Sequence, residues 1–161
     1  PECAAEALAR RGDCRVLAID VLDEGGDLVD ELAHRDIDAV DVPVWGLGRA
    51  VAQADLLLVE PVAASPTELL APAGALAAAA TAKDAQVPVW WVLPVGRALP
   101  APMLAQVTER VSVGEPDGPL ELVRAALADE GVGHVGRVPA AELLSTPGCP
   151  VVAELFRGDV I

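Results

Sequence analysis

Apolar residues along this chain switch between two spacings. From Cys3 to Arg11 they recur at helical intervals and stop at Gly12, whereas Arg15 to Asp20 is an unbroken apolar run between charged residues. Short unbroken runs mark strands covered on both faces, and the three-to-four spacing marks helices. Continuing this way predicts a helix from Gly26 to Arg35, a strand from Ile37 to Val44, and a helix opened by Gly46-Leu-Gly48 and running through Gln53. A strand of nearly pure Leu and Val follows from Asp55 to Glu60. Pro72 suits the first position of a helix that runs to Ala85, and Val87 to Leu93 reads as the next strand. Beyond it the pattern predicts a helix from Pro102 to Arg110, a short strand from Val111 to Val113, and a helix from Pro119 to Asp129 ended by Gly131. A short helix from Ala140 to Leu144 and an apolar piece from Val151 to Phe156 complete the pattern.

Strands alternating with helices imply a parallel sheet joined by crossovers. The expected fold class is α/β, a Rossmann-like three-layer domain with a mainly parallel sheet flanked by helices, in which residues 1–161 form one domain. The Pro and Gly clusters at 114–119 and 146–150 read as loops within it.

Composition narrows the function classes. One lysine, Lys83, stands against ten arginines, and the net charge is −14. That balance argues against a nucleic-acid or anionic-membrane surface, since both require clustered cations. Cys3, Cys14 and Cys149 form no CxxC pair and read as reduced thiols of a cytoplasmic protein. His34 and His134 have no ligand-like neighbours, so neither a metal nor a cofactor is expected. The 53% hydrophobic content in a short chain favours an oligomer, and the small side chains of the Ala75–Ala82 helix would permit close approach. Packing inside one subunit would use them equally well.

In open parallel sheets the ligand crevice lies beyond the carboxyl ends of the strands. The candidates there are Asp20, then Gly46, Gly48 and Arg49, then Glu60, then Gly96 and Arg97. Gly46 and Gly48 could present backbone N–H groups to an anion, or simply make a tight turn. The dinucleotide fingerprint is broken, because Val51 stands where its third glycine belongs. Arg49 and Arg97 could clamp a phosphate or form surface pairs. Glu60 ends an apolar strand, where a partly desolvated carboxylate suits proton transfer but could equally cap a backbone N–H. Asp20 could hold a ribose hydroxyl or play a similar structural part. Trp90 and Trp91 are adjacent in a strand and must face opposite sides of the sheet.

The stretch Asp55–Pro100, with weaker similarity back to Arg15, resembles the family of initiation factor 2B regulatory subunits. That family also contains methylthioribose-1-phosphate isomerase and ribose-1,5-bisphosphate isomerase. Val138-Pro-Ala-Ala-Glu-Leu143 and Glu154-Leu-Phe-Arg-Gly-Asp-Val-Ile161 look like its C-terminal signature. The resemblance implies a Rossmann-like domain that assembles into dimers or larger complexes.

Departures from the family pattern fall on its chemistry. In the isomerases the third strand ends in Gly-Ala-Asp, and the Asp is a catalytic acid or base. An ungapped alignment places Val59, Glu60 and Pro61 there, so the catalytic position is Pro61. Ala71 and Pro72 stand in place of a substrate-contacting Asn-Lys pair, and Asp20-Val-Leu-Asp23 in place of a Glu-Ser/Thr-Arg-Pro segment. Cys3 lies too close to the first strand to match the isomerases' catalytic Cys, which sits on an upstream strand. With Pro1 as the first residue, the expectation is an incomplete copy of the family domain or one without its N-terminal helical part.

Two functions follow. The first is a non-catalytic binding or regulatory protein that senses a phosphorylated metabolite or nucleotide in the strand-end crevice. The second is an aldose–ketose isomerase of a phosphorylated sugar, with Glu60 as the substitute acid. A methyltransferase or dehydrogenase on a similar sheet is the remaining alternative.

Overall fold

The computed structural model describes residues 2–21, 25–111, 113, 115, 117–134 and 136–145. The first helix, α1 (Glu2–Arg11), turns through Gly12 at φ +74° into β1 (Arg15–Asp20). Helix α2 (Gly25–Ala33) then leads to β2 (Asp38–Pro43), which runs parallel to β1 in register from Arg15↔Asp38 to Asp20↔Pro43. A single 3-10 turn, Val44–Gly46, feeds α3 (Leu47–Gln53), and β3 (Leu57–Val59) follows.

The chain next makes an antiparallel hairpin, β4 (Ala63–Ala64) and β5 (Glu68–Pro72), before α4 (Ala75–Asp84) and β6 (Val89–Val92). Helix α5 (Ala101–Arg110) precedes β7 (Leu120–Arg124), a 3-10 turn at Ala125–Leu127, and the hairpin β8 (Glu130–Gly133) and β9 (Gly136–Pro139). Helix α6 (Ala140–Ser145) ends the described chain.

Among the described residues the strands form three sheets: β1–β2; β3–β6–β8–β9, parallel except for its last strand; and the antiparallel β4–β5–β7. The fold is α/β, with parallel strands flanked by helices. Among the described residues no helix is long and apolar enough to cross a membrane.

The main core lies between β3, β5, β6, β7 and the helices α3, α4 and α6. At its centre is Trp91, fully buried, whose Nε1 donates to the Ala125 carbonyl at 2.9 Å. Helix α4 presents Ala75, Ala78, Ala79 and Ala82 inward, so its alanine face is spent on packing within the subunit. A second core on the far side of the antiparallel sheet joins Ala63 and Leu70 to Leu104 of α5. A third, small one holds α1 against α2 and the β1–β2 pair through Ala5, Leu32 and Ile37.

Four local expectations are corrected. The helix expected at Pro119–Asp129 is strand β7 with the following 3-10 turn, because Leu120–Arg124 pairs with Glu68–Pro72 and buries Val123. Pro72 does not open a helix; it closes β5, a strand-end position where a missing N–H is tolerated, and α4 starts after Gly74 at φ +89°. Of the strand expected at Val111–Val113, Val111 is a turn residue after α5 and Val113 makes an isolated bridge to Leu120. Gly131, read as a helix stop, lies inside β8, where a Cβ would come within 2.4 Å of Leu143 Cδ2. The expected apolar piece Val151–Phe156 and the signature at Glu154–Ile161 lie outside the described residues.

Candidate functional site

At the carboxyl end of β3 the chain does not turn into a helix. Glu60 is followed by the buried Pro61 and then by the β4–β5 hairpin. After β6 the chain passes through Pro94, Val95 and Gly96, and the positive φ of Gly96 (+88°) turns Arg97 back toward Glu60. The segment that carries Arg97 is held by Ala64: Ala64 N donates to the Arg97 carbonyl at 2.8 Å, and Leu99 N, two residues on, donates to the Ala64 carbonyl at 2.7 Å.

The side chains meet there. Arg97 Nη1 donates to the Pro61 carbonyl at 2.8 Å and pairs with Glu60 Oε1 at 3.1 Å. Glu60 Oε2 accepts from the backbone N–H of Ala4, in the first turn of α1, at 3.3 Å. The Glu60 side chain is only 6% exposed, that of Arg97 39%. A carboxylate at this depth is tolerable because it has an ionic partner and a backbone donor. Both oxygens are thereby engaged, and Glu60 ties three elements together: β3, the loop after β6, and α1.

The other sequence candidates are dispersed around this pair. Gly46 has a steric explanation, since a Cβ there would sit 2.8 Å from Val42 Cγ1 on β2. Its φ of −87° is ordinary helical backbone. Gly48 and Arg49 are exposed on α3, and among the described residues Arg49 makes no ion pair. Asp20 lies at the start of α2: a Cβ on Gly25 would fall 2.7 Å from Asp20 Cβ and 2.9 Å from Asp41 Oδ1. Carboxylates beside a helix N-terminus are favoured by its dipole.

The three tryptophans separate cleanly. Trp91 fills the core, Trp90 lies under the Arg137 guanidinium at 4.9 Å from the ring centroid, and Trp45 is 86% exposed. Val95, 78% exposed, also follows a parallel strand at its carboxyl end. An apolar hollow of about 220 Å³, lined by Pro66, Ala125, Ala128, Pro139 and Leu144 among others, sits at the opposite edge of the sheet, at the amino end of β8. Among the described residues no three His, Cys, Asp or Glu side chains converge as a metal site would need.

Sequence reasoning did not find the Pro61 carbonyl or the Ala4 N–H. Backbone groups carry no residue signature; only a close approach of α1 to β3, invisible in one sequence, could have revealed them.

The architecture has counterparts among solved structures. The eIF2B beta subunit from Chaetomium thermophilum superposes with a TM-score of 0.67 at 16% identity, over 89% of this chain and 45% of that one. For the translation initiation factor eIF-2B of Pyrococcus horikoshii OT3 the TM-score is 0.73 at 14% identity, over 89% and 57%. The tetrameric eIF2B beta2-delta2 complex of C. thermophilum gives 0.65 at 16%, over 90% and 49%. The chain has the fold of part of an eIF2B subunit. At these identities the likeness is one of fold, and the chain spans about half the length of the eIF2B structures it matches. No family model and no curated protein sequence matches it.

Proposed function

We propose that this chain is a divergent, non-catalytic member of the eIF2B-like superfamily, a single Rossmann-like domain of a cytoplasmic binding or regulatory protein. The observation that carries the reading is the engagement of Glu60. Aldose–ketose isomerisation needs a group free to take and return a proton. Glu60 is the candidate acid at the strand ends, and its oxygens are held by Arg97 and by the Ala4 N–H. Pro61, at the position where the family's isomerases carry their Asp, offers only a carbonyl, and that carbonyl is held by Arg97. The isomerase alternative is therefore not favoured.

On this reading the chain works through association. One of the matching folds belongs to a beta2-delta2 tetramer, which supports assembly with copies of itself, most simply as a homodimer. Helix α4 has its alanine face buried, so the contact would use other surfaces. A small phosphorylated metabolite or nucleotide is sensed at the strand-end edge, without turnover and without a metal or cofactor.

Incubation with a panel of phosphorylated aldoses, combined with sedimentation equilibrium, tests both halves. The expected result is unconverted substrate and a mass above that of the monomer. Enzyme-dependent ketose formation would sink the non-catalytic half; a monomer at all concentrations would sink the assembly half.

A further inference from the structure

The guanidinium of Arg97 is half committed. Its Nη1 serves the Pro61 carbonyl and Glu60, while Nε and Nη2 make no hydrogen bond among the described residues. Those two nitrogens form the planar edge that matches two oxygens of one acid group. Fixing Nη1 on a backbone carbonyl and a 6% exposed carboxylate also fixes the plane of the whole group, so little side-chain freedom remains to be lost on binding. The backbone is held equally firmly, by the Gly96 turn and by the paired bonds to Ala64. At 39% exposure the side chain still reaches solvent, at the strand-end edge where open α/β sheets take ligands.

We propose that Arg97 binds the acid group of a small ligand, phosphate or carboxylate, through its Nε–Nη2 edge. The assignment rests on the ligand-binding part of the proposed function and is independent of assembly. It sets aside Gly46, Gly48 and Arg49 as ligand contacts, because among the described residues no hydrogen bond or ion pair joins α3 to the Glu60–Arg97 cluster. Glu60 neutralises part of the Arg97 charge, so binding depends on the fit of the fork more than on net attraction. That dependence is what separates the site from an ordinary surface cation.

The test is a titration of the whole chain with inorganic phosphate and, separately, with acetate, at ionic strength held constant with chloride. The Arg97 Nε–H resonance and the backbone amides of residues 95–98 are followed by NMR. Saturable shifts confined to those signals and to residues 60–62 are expected. Arg97→Lys, which keeps the charge but loses the fork, should weaken binding about tenfold, the equivalent of ~1.4 kcal/mol. Arg97→Ala should abolish it, and unchanged spectra elsewhere would show that both variants fold. Saturation by either anion, lost in Arg97→Ala, carries the assignment and names the preferred acid group. A response that survives Arg97→Ala overturns the assignment while leaving ligand binding at another place intact. Equal affinity in Arg97→Lys reduces the site to simple charge and overturns it too. No response to either anion overturns both this assignment and ligand sensing at the strand ends.

Discussion

The parallel strands and the antiparallel ones divide the work at the strand-end edge. Strands β3 and β6 sit in the parallel part and deliver Glu60 and the Pro94–Arg97 turn to a common edge. The antiparallel sheet, whose β4–β5 hairpin lies between β3 and α4, then fixes what was delivered: Ala64 of β4 holds Arg97 and Leu99, and the segment before β4 supplies the Pro61 carbonyl. The two parts also bury their residues differently. Val59, Val89 and Trp91 belong to one core, whereas β5 sends Leu69 and Ala71 into the main core and Leu70 into the second one with Leu104. The parallel part makes the scaffold, and the antiparallel insert turns its edge into a fixed arrangement in place of an open crevice.

Substitutions can break or sharpen this contrast. Trp91→Ala removes the largest fully buried side chain of the parallel part and leaves the Ala125 carbonyl with only the Ala128 N–H, so it should cost about 3–5 kcal/mol in urea unfolding. Gly131→Ala would push a methyl group into Leu143 and should cost about 1–3 kcal/mol, with the damage confined to β8 and α6 by hydrogen exchange. Arg97→Ala leaves the Glu60 carboxylate with only the Ala4 N–H; because Arg97 is partly exposed, the cost should be about 1–2 kcal/mol, read from the same unfolding curves. A destabilisation as large as that of Trp91→Ala would mean that the ion pair, and not the core, holds the two parts together.

The smallest effect concerns Lys83 and Asp129, which pair at 2.5 Å at the other edge of the sheet. The hydrogen bond from Lys83 holds the Asp129 carboxyl below the usual aspartate range, burial opposes this, and the Val89 N–H adds to the lowering. A carboxyl lowered in the folded state contributes stability that is present above its unfolded pKa and lost as pH falls through the folded value. Lys83→Ala should therefore cost about 0.2–1 kcal/mol at neutral pH, and the gap from the parent chain should close as pH drops below about 4. A gap independent of pH would assign the effect to packing.

Legibility in the sequence follows the same division. The elements from α1 to β3, the end of α4, β6, α5 and α6 were readable because their apolar periods are clean and most close near a Gly, a Pro or a charge. The antiparallel insert was not. Glu68-Leu-Leu-Ala-Pro72 passes for a loop and helix start, and Leu120-Glu-Leu-Val-Arg124 fits a helical spacing as well as a strand; only their pairing across about fifty residues decides, which local pattern cannot report. Among the site candidates, Glu60 and Arg97 follow from the strand-end rule and do meet. Gly46 shows how ambiguous a glycine is, since one demanded by Val42 looks the same in sequence as one demanded by an anion.

The account turns on both Glu60 oxygens being held, and the Ala4 amide reports this directly. A backbone N–H in the first turn of a helix ordinarily lacks a partner and exchanges quickly. Hydrogen exchange at Ala4 should be slowed in the parent chain and fast in Glu60→Ala, with the rest of α1 little changed. Fast exchange at Ala4 in the parent chain would contradict the account, leaving one Glu60 oxygen free for proton transfer and returning the strand-end edge to chemistry.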